Sequence, residues 1–322
     1  MKRLLISLFL SWLMIQGCAA AHLFVEAESF QQKGGWVVDQ QFMDQMGSPY
    51  LMAHGMGSPV IDAISSVTFP KTGDYYVFVR TYNWTSQWKK GEGPGKFTLF
   101  VGNRQLLSPL GTVGNAWMWQ PAGKVSIKNV KNTIRLHDLT GFDGRCDAIF
   151  FTTDKNEVPP SEMKSLGSFR RSALNLPADA SKAGTYDLVV VGAGIAGMSA
   201  AVSAARLGCK VALINDRPII GGNNSSDIRV HLGGRIEQQP YPELGGLQKE
   251  FGPTKEGNAQ PAENYEDQKK LDWIASEKNV TLFLNYHATS VKKVGNKIVA
   301  VVATQIETGR ELCFEAPLFA DC

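Results

Sequence analysis

The sequence predicts a multidomain β plus α/β chain: an antiparallel β-sandwich over residues 22–153, then a parallel-sheet α/β unit over residues 184–322. Three observations carry this. Residues 22–153 consist of short alternating or apolar runs separated by Gly, Pro and Asn turns, the pattern of a sandwich. Residues 188–191 are uniformly apolar, as a parallel strand buried on both faces must be. Gly192, Gly194 and Gly197 follow it at once and open an Ala-rich helix.

Residues 1–21 read as an export signal and stand outside the fold. Lys2 and Arg3 form a basic start, and the apolar stretch 4–15 is too short to span a bilayer. Ile15-Gln16-Gly17-Cys18 resembles a bacterial lipobox, which implies lipidation of Cys18, while Ala19-Ala20-Ala21 offers ordinary cleavage instead. Either outcome exports the protein, to the periplasm or to the outer membrane and cell surface of a bacterium. The membrane is then a partner only through a lipid anchor.

A hydrophobic content of 43% in 322 residues suits packed globular material in two domains. The net charge of +3, with no long basic run, gives no reason to expect nucleic acid. Five scattered cysteines without a CxxC neither staple the fold nor supply the grouped thiolates of an iron–sulfur cluster. Cys209 and Cys313 lie in apolar, strand-like runs as small hydrophobes.

Within the first domain, strands are expected at 66–69, 75–79, 96–101, 124–127, 133–136 and 148–151. Glu26 and Glu28 lie two apart, so on a strand they share a face. The segments FVEAES, GDYYVFVRTYNW and GRCDAIFFT together resemble carbohydrate-binding modules of the jelly-roll type. That resemblance implies a structural calcium among Glu26, Glu28 and Asp147, and a sugar site of aromatic rings in loops at one end of the sandwich. Trp84, Trp88, Trp117 and Trp119 are its candidates, with Asn83 as polar partner. WTSQW is flanked by Lys89, Lys90 and a Gly-Pro-Gly loop, which favours exposure of Trp84 and Trp88, whereas Trp117 and Trp119 share a strand face that favours core packing. Residues 154–183, with Pro159-Pro160, Pro177 and mixed charge, read as a surface linker.

In the second domain Gly192 allows the strand-to-helix turn, Gly194 admits a pyrophosphate next to the backbone, and Gly197 lets the helix, 195–207, pack on the strand. The N–H groups at Ile195 and Ala196 open that helix and face the phosphates. A second strand, 210–214, completes the βαβ unit of a dinucleotide site. After it come Asn215, Asp216, Arg217 and the pair Gly221-Gly222, continued by NNSSDIRVHLGG. This continuation resembles FAD-dependent oxidoreductases of the glutathione-reductase and fumarate-reductase type, related to the flavin subunit of heterodisulfide reductases. The resemblance covers 185–322 and implies an incomplete Rossmann-like FAD-binding domain with a β-meander. It also implies that FAD is held by the glycines, by Arg217, by Asn224, Ser225 and Ser226, and by Ala288 of the meander. The family's acidic ribose ligand has no direct match: Asn215 stands in its place and Asp216 follows, and either could serve.

Beyond the glycine pair, a helix at 265–278, a strand at 280–284 and hairpin runs at 298–305 and 311–314 are expected. The ending, 318–322, resembles the strand that leads to the family's second flavin-contact turn, so the chain reads as the N-terminal piece of a longer protein. Arg229 and His231 are the local candidates for catalysis, and no acid or base is assigned. Two functions compete: an exported FAD oxidoreductase acting on a carbohydrate-like alcohol and tethered to glycan, and a non-catalytic glycan-binding lipoprotein with a vestigial flavin fold.

Overall fold

A computed structural model describes residues 20–106, 109–234, 236–255 and 257–322. Residues 1–19, which hold most of the expected signal segment and Cys18, lie outside them, and among the described residues no helix is long and apolar enough to cross a membrane.

The first ten strands form the sandwich: β1 (His22–Glu26), β2 (Val37–Asp39), β3 (Tyr50–His54), β4 (Ala63–Thr68), β5 (Gly73–Thr81), β6 (Phe97–Val101), β7 (Arg104–Gln105), β8 (Met118–Ile127), β9 (Lys131–Asp138) and β10 (Phe142–Thr152). One sheet has the order β2-β3-β10-β5-β8, with β1 also paired to β10, and the other runs β4-β9-β6-β7. Alternate residues of β10 serve two layers. Ile149 and Phe151 enter the inter-sheet core with Trp36, Phe97 and Val79, while Ala148 and Phe150 face outwards. A short helix, α1 (Met43–Met46), sits between β2 and β3.

The outward face is covered by a helix where the sequence reads as a linker. α2 (Met163–Ala173) starts at Glu162, whose carboxylate accepts the N–H groups of Lys164 and Ser165. Leu166, Phe169 and Ala173 fall on one side of it and pack on Phe24, Phe78, Trp119 and Phe150. Leu166 is fully buried. The linker expectation for residues 154–183 is therefore corrected: α2 completes the sandwich, and β11 (Ser181–Thr185) already pairs with the second domain.

That second domain has three layers. Its central sheet, β14-β13-β12-β18, is parallel and consists of β12 (Leu188–Val191), β13 (Val211–Asn215), β14 (Val280–Leu284) and β18 (Leu318–Asp321). Val190, Val211 and Leu213 face helices α3 (Ile195–Arg206), α4 (Gly246–Phe251) and α5 (Asp267–Ser276). Val189, Ala212 and Ile214 face the antiparallel strands β15 (Tyr286–Val294), β16 (Lys297–Gln305) and β17 (Glu311–Glu315). Burial on both faces is why these strands are apolar throughout. The meander thus has a first strand, β15, that the sequence reading left out, and β11 extends its far edge in parallel with β17.

Candidate functional site: a dinucleotide cradle and an acidic pocket

At the carboxyl ends of β12 and β13 the two glycine segments meet. Gly192 has φ +95°, a conformation that L side chains rarely adopt. A Cβ on Gly197 would lie 1.8 Å from the Gly192 carbonyl oxygen, so only glycine lets α3 approach the turn. A Cβ on Gly194 would instead meet only Gly222 Cα, at 3.9 Å: the space beside this residue is open. Gly194 also bridges Gly221, and the Gly221 N–H donates to the Ala193 carbonyl at 2.8 Å. Gly194 is the N-cap of α3 and has no side chain to satisfy the helix's first N–H groups. The result is an uncapped helix start beside free space, with a partial positive charge and N–H donors for a phosphate. The fit to a dinucleotide pyrophosphate is good.

Asn215 and Asp216, both open as ribose ligands, separate here. Asn215 is buried, and its Oδ1 accepts the Ala193 N–H at 3.1 Å while its Nδ2 donates to the carbonyls of Arg217 and Ile219, each at 2.9 Å. It ties the two turns together, and each of its side-chain polar atoms is engaged by backbone. Asp216 is half-buried, with Oδ2 3.6 Å from His287 Nδ1, and that hydrogen-bonding partner draws its carboxyl below the usual range. Ala288 follows His287 on β15, which puts it near this end of the cradle. Arg217 is exposed and contributes its carbonyl.

Beneath the glycine pair the supports are polar. Ser225 Oγ donates to the Gly222 carbonyl at 2.7 Å, and the Ser226 N–H reaches both oxygens of Asp267 at 3.1 and 3.2 Å. Asn224 donates to Val230 and leaves its buried Oδ1 without a partner, an acceptor available to a ligand donor. Lys270, a residue the sequence reading missed, is fully buried, donates to the Tyr265 carbonyl, and presses its side-chain stem against Gly221. Lysines are surface residues by type, so nothing local signalled it. Arg229 adopts φ +64° and its Nε donates to the Ser226 carbonyl at 2.9 Å. His231 Nδ1 lies 3.0 Å from Asn258 Oδ1, at the edge of a cleft lined by Leu232, Ile236, Glu237 and Lys249. Each side chain is held by its own hydrogen-bond partner.

In the sandwich, Glu26, Glu28 and Asp147 come together as expected, but around arginines. A register shift in β10 between Cys146 and Ala148 inserts Asp147 as an extra residue in the ladder, which re-aims its side chain. Asp147 Oδ2 lies 2.6 Å from Arg170 Nη2 and 2.9 Å from Arg80 Nη1, and Glu26 Oε1 lies 2.8 Å from Arg170 Nε. The calcium expectation is thus corrected: guanidinium groups occupy the positive position, and among the described residues no group of carboxylates, His or Cys is arranged to hold a metal ion. Burial pushes the Glu26 carboxyl up to about 8 against the pull of Arg170, and pushes Glu28 well above the ordinary range.

The sugar candidates divide in the same way. Trp88 is 77% exposed and Trp84, half-buried, meets it edge to face with ring centroids 5.9 Å apart. The other three are corrected. Asn83 is buried and donates to the carbonyls of Thr112 and Gly91. Trp117 stacks on Tyr82 inside a cluster with Phe42 and Tyr50, and Trp119 lies under α2 with Nε1 donating to the Pro160 carbonyl.

The glycine cradle on a three-layer parallel-sheet fold is the arrangement of a dinucleotide-binding domain. Residues 187–322 match the family model described as FAD dependent oxidoreductase. Over 38 residues the chain is 55% identical to the soluble pyridine nucleotide transhydrogenase of Ectopseudomonas mendocina (strain ymp), covering 12% of this chain and 8% of that protein. Over 70 residues it is 46% identical to the fumarate reductase (cytochrome) of Shewanella frigidimarina, covering 21% of this chain and 11% of that protein. Each match spans about a tenth of the relative's length. Among solved structures, a family 35 carbohydrate binding module from Clostridium thermocellum is similar at 15% identity and a TM-score of 0.31, over 41% of this chain and 97% of that one.

Proposed function

We propose that the protein is an exported FAD-dependent oxidoreductase that oxidises a carbohydrate or related alcohol, with the sandwich tethering it to glycan. The observation that carries the flavin part is the open space at Gly194 beside the uncapped start of α3. In this reading the Ile195 and Ala196 N–H groups bind the pyrophosphate, Asp216 accepts the ribose hydroxyls, and Asn215 fixes the turn that holds both. FAD, when bound, supplies the hydride acceptor for the alcohol carbon. The polar floor of Asn224, Ser225 and Ser226 orients the Gly221-Gly222 turn.

Export rests on the basic and apolar start of the sequence, and glycan tethering on the exposed Trp88 with Trp84 beside it. Flavin reduction tests the activity: anaerobic addition of mono- and oligosaccharides to the purified full-length protein should bleach its yellow colour. Protein that carries flavin but is bleached by no sugar or alcohol would remove the substrate class; protein without flavin would remove the enzyme. Glycan-array binding lost in Trp88→Ala supports tethering, and unchanged binding places that surface elsewhere.

A further inference from the structure

Arg170 belongs to a helix outside both sheets, and its side chain is buried between that helix and the outer face of the sheet. Its guanidinium touches Glu26 Oε1 at 2.8 Å and Asp147 Oδ2 at 2.6 Å, and donates to the Met46 carbonyl. Ser48 Oγ donates to the other Asp147 oxygen at 3.0 Å, and Arg80, from β5, reaches Asp147 Oδ2 at 2.9 Å. Glu28, 2% exposed, is near enough to Glu26, Asp147 and Arg170 to interact with them electrostatically. Glu26 Oε2 and Glu28 Oε2 are both buried without a hydrogen-bond partner. Carboxyl, carbonyl and hydroxyl oxygens are the donor types that a hard divalent cation takes, and here they are gathered around a guanidinium instead.

We propose that Arg170 is the resident cation of this pocket, a tethered substitute for a divalent ion, and that deleting its guanidinium opens a divalent-cation site. Space is the first reason. An ion with oxygen ligands at about 2.3–2.6 Å would have to lie where the guanidinium already contacts the same oxygens. Charge is the second: the ion pairs of Arg80 with Asp147 and of Arg170 with Asp147 and Glu26 already supply the positive charge that an ion would bring. The planar, five-donor guanidinium bridges Glu26, Asp147 and a carbonyl at once, as an ion would. The two orphaned oxygens are what a side chain with fixed geometry leaves over and a small ion would use. Only 23 positions separate Arg170 from Asp147, so the substitute cannot be diluted or chelated away.

The test compares the full chain with Arg170→Ala, by thermal unfolding in EDTA and in calcium and by calcium calorimetry. The wild type should melt at one temperature in both media and give no binding heat. Arg170→Ala should melt lower in EDTA by on the order of 10 °C, recover in calcium, and bind one ion saturably. A wild-type transition that falls in EDTA and returns with calcium overturns the proposal, because the pocket then holds a metal despite Arg170. A folded Arg170→Ala that ignores calcium overturns the latent site. If the variant is recovered unfolded, refolding in calcium is the expected result, and no refolding counts against it.

Discussion

Arg170 Nε lies 2.8 Å from Glu26 Oε1, a contact between a helix following the sandwich and the sandwich's first strand. The burial of this acid, stronger than the pull of Arg170, makes the stability of the domain depend on pH. Glu26 rises from 4.5 to about 8 on folding, chiefly through burial, with Arg170, Asp147 and Arg80 as its charged neighbours, and Glu28 rises as well. A carboxyl raised in the folded state binds more protons there than when unfolded. Its contribution is complete below 4.5 and is lost as pH climbs through about 8. The melting temperature of the sandwich should therefore fall steadily from pH 5 to pH 8, and Glu28→Gln should flatten the slope. A profile that rises over this range contradicts the assignment.

The same helix should alter proteolysis. Leu166 is fully buried against Phe24, Trp119 and Phe150, so Leu166→Ala should cost about 2–5 kcal/mol of sandwich stability, read by denaturant unfolding. In the wild type, the protease-resistant N-terminal fragment should extend through Ala173, with cleavage in the 174–180 connection rather than near Pro159-Pro160. A fragment ending before residue 162 would mean that α2 is not docked.

The strand at 188–191 and its glycines were legible because each demand is local: burial on both faces gives an unbroken apolar run, and the turn needs residues without side chains. Helix α2 was not, because the residue it drives inward, Arg170, is charged, and only partners far away in sequence make its burial favourable. Trp119 lies on β8 and Trp117 just before it, yet which layer covers each depends on Phe42 and Tyr50 in one case and on α2 in the other. Asn215 read as an imperfect ribose ligand because its three bonds run to backbone whose position a sequence does not give.

Asn215 and Asp216 should respond differently to truncation. Asn215→Ala removes three hydrogen bonds that hold the turns together, so it should lower the stability of the second domain by about 1–3 kcal/mol, whether or not a cofactor is bound. Asp216→Ala should leave stability nearly unchanged and weaken FAD binding roughly 10-fold to 100-fold, the cost of a charge-assisted hydrogen bond. The reverse pattern, measured by flavin fluorescence titration and urea unfolding, would exchange their roles.

The glycines of the cradle offer the most direct measurement: flavin released per chain from the purified full-length protein, for the wild type, Gly194→Val and Gly197→Val. A side chain at Gly194 enters open space in the protein but fills the pyrophosphate position, whereas one at Gly197 strikes the Gly192 carbonyl at 1.8 Å. The account predicts one FAD per wild-type chain, a folded Gly194→Val without flavin, and a misfolded Gly197→Val. Full flavin content in Gly194→Val, or none in the wild type, would contradict it.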